Sequence, residues 1–208
     1  MKNTLVLLAS ALIIFGFTSC KGEPTEKIDN QTQYCFYTYN EGATTFQWTA
    51  FKTTERIGVS GTFNNIKVSS DASDDPMVLL RSMSFKMETS SVETNNEDRN
   101  AKVAKYFFET INTPVITGHV LSINEETGEC NFEITMNGVA AKVSGDYSFI
   151  DNVFMFKSIA NVNSWNALSG ITALNTVCND LHKGADGISK LWPEVHFSFK
   201  TRLKSDCK

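Results

Sequence analysis

Residues 130–156 read CNFEITMNGVAAKVSGDYSFIDNVFMF, and this stretch decides the fold class. Phe132, Ile134 and Met136 recur at every second position, the period of a strand that buries one face. Asn137-Gly138 follows at once, a dipeptide suited to the positive φ values of a type I′ hairpin. Val139, Ala141, Val143, Tyr147 and Phe149 then resume the alternation. Asp151-Asn152 forms a second tight turn before Phe154 and Phe156. Three antiparallel strands joined by two hairpins follow from this stretch alone.

The same period recurs on both sides. Phe46, Trp48 and Ala50 make one run, and Val59, Gly61 and Phe63 another. Leu79, Met83, Phe85 and Met87 share one parity that Arg81 interrupts, and Val115, Thr117, His119 and Leu121 form a weaker run. Val195, Phe197 and Phe199, in step with Thr201 and Leu203, close a series of about eight strands. Two insertions read as helices. In the first, Val103, Tyr106 and Phe107 fall at helical spacing, with Asn95, Asn96 and Asp98 as candidate caps and Pro114 beyond the end. In the second, Leu174, Val177, Cys178 and Leu181 mark an apolar face, and His182-Lys183-Gly184 supplies a cationic last turn and a stop. Antiparallel strands with one apolar face are best satisfied by closure, so the pattern predicts a mainly β protein, an eight-stranded antiparallel β-barrel of about the size that holds side chains or one small ligand. A two-sheet sandwich is the competing arrangement. Long runs and the in-strand Gly58, Gly61, Gly118 and Gly145, placed where bends are needed, favour the barrel.

The chain has 208 residues, with 19 Lys+Arg against 23 Asp+Glu and a net charge of -4. That length fits one domain, and the charge leaves no basic footprint for nucleic acid. Fifteen Phe and six Met stand beside three His, a composition rich in apolar filler and poor in the side chain most used for catalysis. Lys2 followed by the apolar Leu5 to Phe17 reads as a secretory signal too short to span a bilayer comfortably. Its end, Phe17-Thr18-Ser19-Cys20, resembles the bacterial lipobox, so residues 1–19 are expected to be a lipoprotein signal and Cys20 to carry lipid. Residues 20–33 are then a lipidated N-terminus and polar tether, and 34–208 the barrel domain. This places the protein in the bacterial cell envelope as a periplasm-facing or surface lipoprotein of the outer membrane, held to the membrane by its acyl chains.

Cys35, Cys130, Cys178 and Cys207 remain, an even number that suggests two disulfides in an exported chain. Three pairings are possible. Pairing of the first and last strands favours Cys35 with Cys207, which leaves Cys130 with Cys178.

Other chemistry is thinly represented. Cys178 and His182 share a helix face as half a zinc site would, but no second pair of ligands accompanies them. His119 and His196 lie in strand patterns at unlike parities, with haem ligation by either a remote alternative. There is no Gly-x-Ser-x-Gly elbow and no glycine-rich phosphate loop. Asp74-Asp75 and Glu125-Glu126 read as solvated loops, and Arg99, Lys102 and Lys105 as a solvent-facing stripe or, alternatively, a contact for a lipid phosphate. No catalytic residue and no metal site is assigned.

Three segments resemble the YceI-like family. FKTTERIGVSGTF at 51–63 is similar to the family's aromatic strand and Val-x-Gly-x-Phe arm, SVETNNEDRNAKVAKYFF at 91–108 to its Ser-Val-x-Thr segment and Phe-Phe pair, and TMNGVAAKV at 135–143 to its Asn-Gly-Val hairpin. The family's Arg-Asp is Arg99-Asn100 here, and its Thr-Lys-Pro is Ala140-Ala141-Lys142. The resemblance implies a lipocalin-like barrel whose apolar tunnel holds a polyisoprenoid or other long-chain lipid, with no cofactor beyond a bound isoprenoid quinone or similar lipid. The expected lining is Phe46, Trp48, Phe63, Met83, Phe85, Met87, Phe132, Ile134, Met136, Val143, Tyr147, Phe154, Phe156, Phe197 and Phe199. An enzyme acting on such a lipid, or a barrel filled by its own side chains, are the alternatives.

Overall fold

The computed structural model describes residues 34–208. The expected signal, the expected lipidation site Cys20 and the expected tether lie outside the described residues. In chain order the elements are β1 (Cys35–Thr38), β2 (Thr44–Lys52), β3 (Ile57–Phe63), β4 (Ile66–Ser69), α1 (Pro76–Arg81), β5 (Ser84–Glu88) and β6 (Val92–Glu93). There follow α2 (Glu97–Val103), a π-helical segment (Ala104–Glu109), β7 (Val115–Asn124), β8 (Glu129–Met136), β9 (Val139–Ile150) and β10 (Val153–Asn161). The chain ends with α3 (Leu168–Val177), β11 (Leu191–Arg202) and β12 (Lys204–Cys207).

One antiparallel sheet runs in the order β4-β5-β7-β8-β9-β10-β11-β2-β3-β6. Its outer strands β3 and β4 are separated in the chain only by Asn64 and Asn65, so one bent strand pairs with β2 at one end and with β5 at the other. Glu88 donates its N–H to Asn65 O (3.0 Å) and Asn64 donates to Ser91 O (2.8 Å), which continues the hydrogen bonding across the bend. The sheet therefore curls onto itself as a lipocalin-like barrel. Counting β3–β4 as one strand and setting aside the two-residue β6 leaves eight principal strands from the ten in the sheet. Both hairpins read from residues 130–156 are present: Asn137 and Gly138 have φ of 52° and 69°, Asp151 and Asn152 of 51° and 62°. Pro193 lies where the β11–β2 register shifts between Leu191 and Val195, a bulge that accommodates its missing N–H.

Four expectations change. Leu79 belongs to α1, not to a strand; Asp75 caps that helix by accepting from Met77 N, and Leu79 and Leu80 are fully buried at one end of the barrel. In β7 the inward parity is that of Ile116, Gly118 and Val120, while His119 and Leu121 are exposed. The buried face of α3 is Gly170 and Leu174, continued by Cys178 and His182; Val177 is exposed, and Leu181 is exposed at the edge of the cavity. Cys35 and Cys207 are bonded, as expected, and stand directly opposite each other, but the β1–β12 ribbon that carries them is a two-stranded sheet of its own and does not close the barrel. Cys130 and Cys178, however, are free. Cys130 sits with Leu79, Phe132 and Phe154, and Cys178 with Phe107, Trp165 and Leu174, in separate core clusters that keep the two thiols apart.

Candidate functional site

The inward side chains of a filled barrel are buried; here many are not. Phe46, Trp48, Phe85, Ile134 and Phe197 point inward yet remain only partly buried. They face a cavity of about 440 Å³, within the range typical of small-molecule sites. Aromatic rings and aliphatic side chains share its wall. Phe46 lies 6.1 Å from both Phe63 and Phe197 between ring centroids, Phe132 lies 4.8 Å from Phe156, and Phe156 lies 5.9 Å from Phe197. These are offset or tilted spacings that aromatic pairs favour.

Three of the wall rings rest on glycines. Trp48 covers Gly61, Phe85 covers Gly118 and Phe156 covers Gly145; a Cβ on any of the three would come within 2.9 Å of both a ring and a backbone oxygen. Gly61 and Gly118 stand directly across the ladder from Trp48 and Phe85. The in-strand glycines thus let large rings lie flat along the wall and leave the centre open.

Most of the expected lining is found at the cavity: Phe46, Trp48, Phe63, Met83, Phe85, Met87, Phe132, Ile134, Met136, Phe156, Phe197 and Phe199. Val143, Tyr147 and Phe154 are not there. Phe154 is fully buried against Leu79 and Leu80 at the α1 end, and Tyr147 stacks on it at 5.8 Å. Val143 packs in the cluster that contains Trp165, whose indole N–H donates to Ile134 O (2.7 Å). The Phe156 ring over Gly145 and the indole of Trp165 stand between β9 and the open space.

The lining that the sequence reading missed includes Ile66 and Val68 of β4, Ile116 of β7 and Trp192 of β11, and the rest of it comes largely from helices and irregular segments. Asn96 caps α2 by accepting from Arg99 N, and the helix widens into the π-helical segment, which buries the adjacent Phe107 and Phe108. Both rings line the cavity, as do Trp165 and, from α3, Ile171, Leu174 and Cys178. Gly170 lets α3 approach the Phe107 ring, since a Cβ there would lie 2.7 Å from it. The Phe-Phe pair and the Asn-Asn-Glu-Asp cap were visible signals; their place against the barrel was not.

Polar lining concentrates at one rim, in Lys52, Asn96, Asp98, Arg99, Lys102 and His182. Lys52 Nζ donates to Leu181 O (2.9 Å), and Lys102 Nζ bonds Asp98 Oδ2 (2.6 Å). Burial, then the Lys52 charge, lowers the His182 pKa from its ordinary 6.5. Burial raises the Cys178 thiol pKa and pushes that of Cys130 up to about 12, so both stay protonated thiols. Lys105 is not at the cavity and lies over the Tyr106 ring at 5.4 Å. His119 is exposed, and His196 packs edge-on to Phe51 and pairs with Glu194. Among the described residues no group of three or more His, Cys, Asp or Glu side chains is placed to hold a metal ion.

A single curled antiparallel sheet around an apolar cavity, capped by helices at one end, defines a lipocalin-like barrel. The chain belongs to the YceI-like family, whose domain matches residues 37–201. Two solved structures share the fold. A polyisoprenoid binding domain from Saccharophagus degradans, implicated in plant cell wall breakdown, is 13% identical with a TM-score of 0.56, the alignment covering 83% of this chain and 99% of that one. BcnA of Burkholderia cenocepacia is 14% identical with a TM-score of 0.50, covering 77% of this chain and 96% of that one. A search of curated protein sequences finds no match.

Proposed function

We propose that the protein is a lipid-anchored envelope protein that holds a polyisoprenoid or another long-chain lipid in its barrel, without catalysis. The observation that carries this reading is the wall of aromatic and methionine side chains, with several of the rings only partly buried, around the cavity of about 440 Å³. Burying hydrocarbon gains about 0.8 kcal/mol per methylene, so an apolar wall suffices to hold a chain. Methionines at 83, 87 and 136 let the wall adapt to it. Membership of the YceI-like family supports the lipid-binding role, and the similarity to the polyisoprenoid binding domain of Saccharophagus degradans suggests the ligand class. Anchoring and envelope location rest on Cys20 and the apolar segment before it.

One experiment addresses both parts: native mass spectrometry of protein extracted from bacterial membranes, before and after solvent delipidation and then with added isoprenoid quinone. The expected spectrum shows a covalent acyl mass on Cys20 and a non-covalent long-chain lipid that solvent removes and the quinone replaces. Absence of the covalent mass overturns the anchor. Absence of both co-purifying lipid and quinone uptake overturns the carrier.

A further inference from the structure

The cavity is apolar along its length but not at its rim. Apart from Ser84, its charged and polar lining side chains come from the end of β2, from α2 and from the turn after α3. The rim holds three cations, Lys52, Arg99 and Lys102, against one carboxylate, Asp98, in a chain whose net charge is -4. Asp98 is taken by Lys102 (2.6 Å), and Lys52 reaches the Leu181 carbonyl (2.9 Å). The exposed Arg99 guanidinium has no ion-pair or hydrogen-bond partner among the described residues.

His182 adds a hydrogen-bond acceptor to the same rim. It is 9% exposed and lines the cavity. Its Nδ1 lies 2.8 Å from Asn175 Oδ1, which also accepts from Ser189 Oγ, so Nδ1 carries the proton. Nε2 is then a bare acceptor, and it has no hydrogen-bond partner among the described residues. Burial and the neighbouring Lys52 keep the ring neutral. Nε2 is not one of the fully buried polar atoms left without a partner, so it stays reachable and free to accept from a ligand at the rim.

We propose that this rim is a head-group site, and that the chain held in the barrel belongs to a lipid with an anionic, hydroxyl-bearing head such as a phosphate monoester. Arg99 and Lys52 hold the charged oxygens, and the head-group hydroxyl donates to His182 Nε2. The inference rests on the carrier reading above and narrows its ligand to acidic amphiphiles.

The test uses two ligands that differ only in the head, geranylgeranyl phosphate and geranylgeraniol, titrated into the delipidated protein at low and at high salt. The phosphate is expected to bind roughly tenfold more tightly at low salt, with the gap narrowing as salt screens the rim. Arg99→Ala, which removes an exposed side chain with no partner, is expected to weaken the phosphate roughly fivefold and leave the alcohol unchanged. Equal affinity for the two ligands, or an equal loss of both in Arg99→Ala, overturns the head-group site and leaves the carrier standing. Failure of both ligands to bind overturns the carrier, and the head-group site with it.

Discussion

A Cβ built on Gly145 lies 2.2 Å from the Lys157 carbonyl oxygen and 2.7 Å from the Phe156 ring. The carbonyl belongs to a ladder that cannot shift without breaking β9–β10 pairing, and the ring belongs to the cavity wall. Gly145→Ala is therefore expected to destabilise the protein by about 3 kcal/mol in urea unfolding, the upper end for overpacking. Gly42→Ala, whose nearest neighbour would be 3.8 Å away, should change the midpoint by no more than about 0.5 kcal/mol. A Gly145 variant as stable as the Gly42 variant would mean that the ring does not rest on the strand as described. At this scale the sequence was most legible where side chains alternate. Phe132, Ile134 and Met136 reach the cavity as their period requires. Val143, Tyr147 and Phe154 have the same inward parity and do not. Parity tells which face of the sheet a residue takes; it does not tell which neighbouring ring will stand in front of it.

The segment from Val92 to Glu109 joins a barrel edge to the cap, and it turns on one amide. Asn100 Oδ1 accepts from Thr94 N (2.8 Å) and Thr94 Oγ1 (2.7 Å), while Asn100 Nδ2 donates to Glu93 Oε1 (3.0 Å). The Asn100 amide, followed by the Asn95 N–H, holds the Glu93 carboxyl below its ordinary pKa of 4.5. A carboxyl depressed on folding contributes stability that is present above pH 4.5 and is lost as pH falls through the folded value. Asn100→Asp keeps both acceptor contacts to Thr94 but replaces the donor to Glu93 with a second carboxylate. Its melting temperature should fall below that of the parent at pH 7, and the gap should shrink at about pH 4, where carboxyl protonation relieves the repulsion. An equal gap at both pH values would show that donation to Glu93 is not what Asn100 supplies. The helix start was legible from its asparagines and acids, and Asn96 is the cap. That the helix widens and seats two adjacent phenylalanines against the barrel depends on packing with α3 through Gly170, which no local pattern encodes.

At the scale of the molecule, strand period and hairpin chemistry implied a closed sheet, and the bent β3–β4 strand is how it closes. Whether such a barrel is hollow was not legible, because an inward aromatic stripe has the same sequence whether the rings meet or stand apart. Ala160 separates the two cases. It lines the cavity from β10, beside Val162 and Trp165, and its small side chain leaves space in front of it. In a barrel open as described, Ala160→Trp places an indole into the void. It should reduce uptake of geranylgeraniol at least roughly tenfold by exclusion, while stability stays within about 1 kcal/mol because no packed group is displaced. In a barrel that closes on itself in solution, the same indole would overpack the core, costing about 1–3 kcal/mol and leaving ligand uptake unaffected. Ligand titration and urea unfolding of one variant therefore distinguish a container from a filled core. The outcome that removes the container is a destabilised variant that still takes up lipid as the parent does.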